Sequence, residues 1–153
     1  MVSVILIVLD GPQVSIMGHS MGGHGALVLS LRHPGIFVST SAFAPICNPS
    51  QVPWGQKAFG GYLGPDVEKW KNHDASELVK NYAGRAFDVL MDTGTDDEFL
   101  DSQLKPWVLE QACSGTPVRL TSNMRQGYDH SYYFISTFVK DHIAFHAERL
   151  NAK

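Results

Sequence analysis

Ser20 stands in the run Gly18-His19-Ser20-Met21-Gly22, the G-x-S-x-G spacing of a serine held at a sharp turn where its hydroxyl can act as a nucleophile. Val14-Ser15-Ile16-Met17 before it reads as a short strand, and Gly22-Gly23-His24-Gly25-Ala26-Leu27-Val28-Leu29 after it can start a helix. A strand-to-helix turn this tight strains the serine backbone and lifts the hydroxyl clear of a sheet. The flanking glycines serve by lacking bulk.

A serine hydroxyl is a weak nucleophile near neutral pH, so the chemistry requires a base for its proton and an acid to orient that base. Seven histidines compete for the first role. His130 lies in Gly127-Tyr128-Asp129-His130-Ser131, a polar loop predicted between the last strand and the last helix, and is the candidate base. His19 and His24 flank the turn and read as packing or hydrogen-bonding residues. His142 and His146 are four residues apart and could share a zinc ion, but no His-Glu-x-x-His pattern or third ligand accompanies them, so they read as a packed or solvated helix face. The acid should follow the strand Phe87–Met91, where the chain runs Asp92-Thr93-Gly94-Thr95-Asp96-Asp97-Glu98. Asp92 could cap or turn the loop and Asp96 could cap a short helix. Spacing alone does not choose among Asp92, Asp96 and Asp97. The alternating Asp pattern of a calcium loop is absent.

These residues need a scaffold that brings distant loops together. The apolar runs Val14–Met17, Phe37–Phe43, Phe87–Met91 and Val118–Leu120 read as buried strands of a parallel sheet. Helices are predicted over Gly23–Arg32, over Ser102–Cys113 with Leu104, Trp107, Val108 and Ala112 on one face, and over Tyr132–Leu150. The last carries Ile135, Phe138, Val139, His142, Ile143 and His146 on one stripe. Strands alternating with helices mean an α/β layer architecture. The segment Asn48–Tyr82, rich in Pro, Gly, Trp and Lys with only short helical pieces, is a long excursion placed over the catalytic mouth. Within it Trp54, in Pro53-Trp54-Gly55, suits a wall that shapes a small acyl pocket.

A length of 153 residues is about one domain, and 44% hydrophobic with 18% charged residues is ordinary for a globular protein. A net charge of −3 without a Lys/Arg block argues against nucleic acid or an anionic membrane as partner and leaves small molecules open. Two cysteines are too few for a disulfide framework, and Asn48-Pro49-Ser50 is disqualified as a glycosylation acceptor by its proline. A reducing, cytoplasmic setting is expected. The apolar start Val2–Leu9 lacks a basic leader and a cleavage site, is too short to span a bilayer, and reads as a buried strand.

The runs Gly18–Leu27, Ser41–Pro49, Pro53–Phe59, Gly61-Tyr62-Leu63-Gly64 and Gly127–Phe134 together closely resemble the S-formylglutathione hydrolase (esterase D) family, from about Val14 to the C-terminus. That resemblance implies an α/β-hydrolase fold and a cytoplasmic serine thioesterase and carboxylesterase that needs no cofactor and no metal. The implied reaction is hydrolysis of S-formylglutathione to formate and glutathione in formaldehyde detoxification, with side activity on small esters. It implies Ser20 as nucleophile, His130 as base, Asp97 as acid and the Met21 backbone N–H as one oxyanion donor.

The family places its serine turn after well over a hundred residues, whereas about thirteen precede Val14 here. The expectation is therefore an atypical segment over 1–13 followed by the C-terminal part of a single α/β-hydrolase domain over 14–153, with the earlier strands and the second oxyanion donor missing. One lost donor costs roughly 2.7–4 kcal/mol of transition-state stabilisation, a hundred- to thousandfold in rate. An open sheet edge would favour a homodimer or other self-association. Asp10-Gly11 leaves no room for a helical crossover, so any pairing of Met1–Asp10 with the next strand would be an antiparallel hairpin. A broader carboxylesterase on the same fold and a non-catalytic truncated product are the competing readings.

Overall fold

The computed structural model describes residues 4–8 and 13–152. Five strands among these residues form one sheet in chain order: β1 (Val4–Val8), β2 (Val14–His19), β3 (Phe37–Phe43), β4 (Phe87–Gly94) and β5 (Val118–Arg125). β2 to β5 are parallel, and each parallel step is made by a helical crossover. β1 instead runs antiparallel to β2, with Val4 opposite Gly18 and Val8 opposite Val14, as the short Asp10-Gly11 link requires; residues 9–12 themselves lie outside the described residues.

The buried strand expected at Val2–Leu9 is corrected in one respect. Val4–Val8 is a strand, but Ile5, Leu6 and Val8 are exposed, because an outer strand has a neighbour on one side only.

The helices are α1 (Met21–Arg32), α2 (Pro53–Leu63), α3 (Val67–Trp70), α4 (Ala75–Lys80), α5 (Pro106–Cys113) and α6 (Tyr132–Leu150). The single helix expected over Ser102–Cys113 is two pieces. A π-helical turn, Leu100–Leu104, ends at Lys105 in the left-handed region (φ 47°), and α5 restarts at Pro106. Proline cannot continue a helix, having no N–H and clashing with the preceding turn. The break rotates the buried face, so Leu109, Ala112 and Cys113 point inward while Trp107 is exposed. In α6 the expected stripe holds for His142 and His146, but Ile143 is exposed and Phe134, in the first turn, is fully buried.

Because strand side chains alternate, the sheet has two different faces. On one, Ala42, Phe87, Val89, Met91 and Val118 meet Leu27 of α1, Val79 of α4 and Leu109 of α5. On the other, Met17 and Phe43 pack with Phe134 and the partly buried Phe138 and Val139 of α6. The segment 48–82 is more helical than expected: α2 spans eleven residues, and α4 packs beside α1 and α5. From this segment Trp54 lines the cavity onto which Ser20 opens.

Candidate active site

In a parallel sheet the strand ends on one edge bring together loops far apart in sequence. Here that edge collects Ser20 after β2, Ala44 after β3, Asp97 after β4 and His130 after β5.

Ser20 sits at φ 55°, ψ −117°, a conformation L-residues avoid, between the end of β2 and the first turn of α1. Two backbone bonds hold it there: the Ser20 N–H donates to the Phe43 carbonyl (2.8 Å), and the Ser20 carbonyl accepts from the His24 N–H (3.0 Å). The turn is tight enough that a Cβ on Gly18 would collide with the Gly22 carbonyl. Met21 is the first residue of α1, where N–H groups have no acceptor within the helix and the helix dipole is positive.

The loops after β4 and β5 are zipped together. The Thr95 N–H donates to the Arg125 carbonyl and the Asp96 N–H to the Tyr128 carbonyl, both at 3.0 Å, and the Gly127 N–H donates to Thr95 Oγ1 at 2.8 Å. Gly94 makes this possible, since any side chain there would strike the Tyr128 carbonyl. The consequence is a bond between His130 Nδ1 and Asp97 Oδ2 at 2.6 Å. A carboxylate only accepts, so Nδ1 is the donor, and in the neutral imidazole that tautomer leaves the lone pair on Nε2. Asp97 is buried, and its Oδ1 accepts from the Phe99 N–H at 2.9 Å, which fixes the carboxylate plane.

The other aspartates have different surroundings. Asp92 lies within β4, not at its end, and its buried carboxylate accepts from Asn123 Nδ2 (2.8 Å) and Arg125 Nε (2.6 Å), with His142 Nε2 at 3.6 Å. Burial raises the Asp92 pKa, but these partners outweigh it and hold the carboxyl below its ordinary range. Asp96 is exposed and accepts from Thr95 Oγ1; it caps no helix.

Four further histidines, His19, His24, His142 and His146, are engaged by packing or hydrogen bonds. The His19 ring lies 4.5 Å from that of His130, and burial with the nearby His130 lowers its pKa to about 4. His24 is buried, accepts from the Ala75 N–H at 3.4 Å, and is likewise lowered to about 4, chiefly by burial. His146 bridges Ser39 and Ser41 through its two nitrogens, both at 2.8 Å, and His142 stacks on Phe43 at 3.7 Å. Among the described residues no group of His, Cys, Asp or Glu is arranged to hold a metal ion.

Ser20, His130, Met21 and Trp54 open onto one cavity of about 290 Å³. Ile46, Phe99, Gln103 and Leu104 complete it. Sequence reasoning missed these four, because the π-helical turn that aims Gln103 and Leu104 inward has no sequence signature of its own. Ser20 and His130 share the cavity without a direct hydrogen bond among the described residues, although a base that takes the serine proton calls for one. In unliganded hydrolase sites that contact is commonly long and tightens around substrate.

A mostly parallel sheet with helices on both faces, a strained serine at its second strand and a carboxylate–histidine pair on the same edge define part of an α/β-hydrolase fold. The model of the esterase family matches residues 8–145, and the chain belongs to that family. It is 56% identical over 145 residues to S-formylglutathione hydrolase of Rattus norvegicus, covering 94% of this chain and 51% of that protein. The Arabidopsis thaliana enzyme of the same name is 48% identical over 93% of this chain and 50% of its own length. A solved S-formylglutathione hydrolase from Agrobacterium tumefaciens superposes with a TM-score of 0.84 at 50% identity, covering 88% of this chain and 48% of that one. The chain thus spans about half the length of the relatives it matches. No helix among the described residues is long and apolar enough to cross a membrane.

Proposed function

We propose that the site is that of a serine thioesterase and carboxylesterase whose preferred substrate class is S-formylglutathione and short acyl esters. The single observation that carries the reading is the 2.6 Å bond from His130 to buried Asp97 beside a cavity that also exposes strained Ser20. In this reading His130 Nε2 takes the Ser20 Oγ proton as the oxygen attacks the acyl carbon. Asp97 holds the imidazole in the Nδ1–H tautomer and stabilises the imidazolium. The Met21 N–H, at the positive end of α1, donates to the tetrahedral oxyanion. Collapse returns the proton to the departing thiolate or alkoxide and leaves an acyl group on Ser20. Water, deprotonated by His130, then releases the carboxylic acid. The apolar cavity with Trp54 on its wall takes the acyl group, and no cofactor takes part.

The similarity to S-formylglutathione hydrolases of animals, a plant and a bacterium supports the substrate assignment. The exposed apolar edge of β1 supports self-association, and the two free cysteines, Cys47 and Cys113, fit a reducing, cytoplasmic setting.

The test has two arms. A fluorophosphonate should add one adduct to the 153-residue chain by intact mass and none to Ser20→Ala. Formate release from S-formylglutathione should exceed release from short aryl esters in kcat/KM. Labelling that survives in Ser20→Ala would end the nucleophile assignment; equal or better turnover of aryl esters would favour the broader carboxylesterase.

A further inference from the structure

We propose that Gln103 is a specificity-determining residue: its side-chain amide pins the Trp54 wall and thereby sets how long an acyl chain the cavity accepts. The proposal rests on the reading of this cavity as the acyl pocket.

Helix α2 has no side-chain cap from its own N-cap residue. α2 starts after Val52, whose side chain has no acceptor, and Pro53 occupies the first helical position, where its missing N–H costs nothing. The next N–H, that of Trp54, is one of the orphan donors every helix start leaves. Gln103 Oε1 accepts it at 3.1 Å, from an element 49 residues further along the chain. The missing cap of α2 is supplied by a neighbour on the same cavity wall.

Gln103 can do this because of the π-helical turn. Leu104 N–H donates to the Phe99 carbonyl at 3.0 Å and Lys105 N–H to the Leu100 carbonyl at 2.9 Å, so the turn holds one residue more than an α-helical one. That widening, closed by left-handed Lys105 and Pro106, puts both Gln103 and Leu104 on the cavity wall. A second bond, from the Cys47 N–H to the Leu104 carbonyl at 3.0 Å, ties the same turn to the loop after β3. Of the two ties, the Gln103 bond is the one that acts on Trp54. Trp54 is partly exposed and its end of α2 has no side-chain cap of its own, so loss of the bond loosens Trp54 at the helix start while the neighbouring Gly55 stays packed against Pro49.

The experiment compares Gln103→Leu, which keeps the bulk and removes the acceptor, with Gln103→Glu, which keeps an acceptor and adds a charge favoured at a helix start. Ser20 is labelled with alkylphosphonofluoridates bearing methyl to hexyl groups on phosphorus, and second-order rates are read from intact mass. The wild-type chain should react faster with methyl than with hexyl. Gln103→Leu should shrink that ratio about tenfold, mainly by accelerating the long probes. Gln103→Glu should stay within about twofold of wild type. An unchanged ratio in Gln103→Leu overturns the proposal, as does a ratio that collapses equally in both variants. Parallel slowing of every probe in Gln103→Leu would mark general damage and overturns it too. Failure of the underlying reading looks different: no probe would label Ser20 in the wild-type chain.

Discussion

The two faces of the sheet differ in where their charge lies. Against α1, α4 and α5 the contacts are mainly apolar, Leu27, Val79, Val89 and Leu109 among them, with uncharged hydrogen bonds such as Ser30 Oγ to Thr40 Oγ1 between them, and apolar contacts ask only for volume and shape. Against α6 the sheet presents charge as well. Asp88 accepts from Arg119 and from Arg149 (2.7 Å), Asp92 is paired with Arg125 and His142, and His146 joins Ser39 to Ser41. A buried ion pair is no better for stability than a well-packed apolar one, but breaking it is far more costly. Hydrogen bonds, unlike apolar contacts, fix register. The polar face also lies directly behind the candidate site: His142 stacks on Phe43, whose carbonyl holds the Ser20 N–H, and the Asp92 carbonyl holds the Ala44 N–H at 2.7 Å. One face supplies bulk stability and the other supplies position.

Acid should have the largest effect, through His146, Asp88 and Asp92 on the α6 face and through His24 alone on the α1 face. Burial lowers the pKa values of His19, His24 and His146 from 6.5 to about 4, so between those values the unfolded chain binds protons that the folded chain refuses. Stability is full above pH 6.5 and falls as pH drops toward 4. Asp88 and Asp92, also held below their ordinary range, add stability that is present above that range and lost at lower pH still. Urea midpoints measured from pH 8 to pH 4 should decline through this window; a flat profile would contradict the buried neutral histidines.

Next in size is Asp92→Asn, which keeps the shape but leaves Arg125 and His142 without their carboxylate. A loss of about 3–5 kcal/mol is expected by denaturant titration. His146→Leu, which strands the Ser41 hydroxyl in the core, should cost about 1–3 kcal/mol. The smallest effect belongs to the apolar face, where Leu109→Met should cost less than about 1.5 kcal/mol. If Leu109→Met proves worse than Asp92→Asn, the contrast between the faces is wrong.

Much of the scaffold was legible because it depends on local periodicity. The cores of β2 to β5 and the full extent of α6 follow from apolar runs and helical spacing, and Pro106 announced a break whose consequence for Trp107 was overlooked. Ser20 and His130 were legible from motif and loop placement. The spacing of the acidic loop left Asp92, Asp96 and Asp97 equivalent, and resemblance alone favoured Asp97.

The amino-acid sequence by itself determined the alternation of strands and helices, the strained turn at Ser20 and a polar histidine loop before the last helix. These rest on interactions within a few residues, such as the missing side chain at Gly18. Only the tertiary structure separated the aspartates, because that depended on which side chains of β5 and α6 came to lie beside each: Arg125 and His142 claim Asp92, solvent claims Asp96, and His130 reaches Asp97. Likewise, that Gln103 caps a helix 49 residues away is a fact of two chain segments meeting at a sheet edge, and no local pattern encodes it.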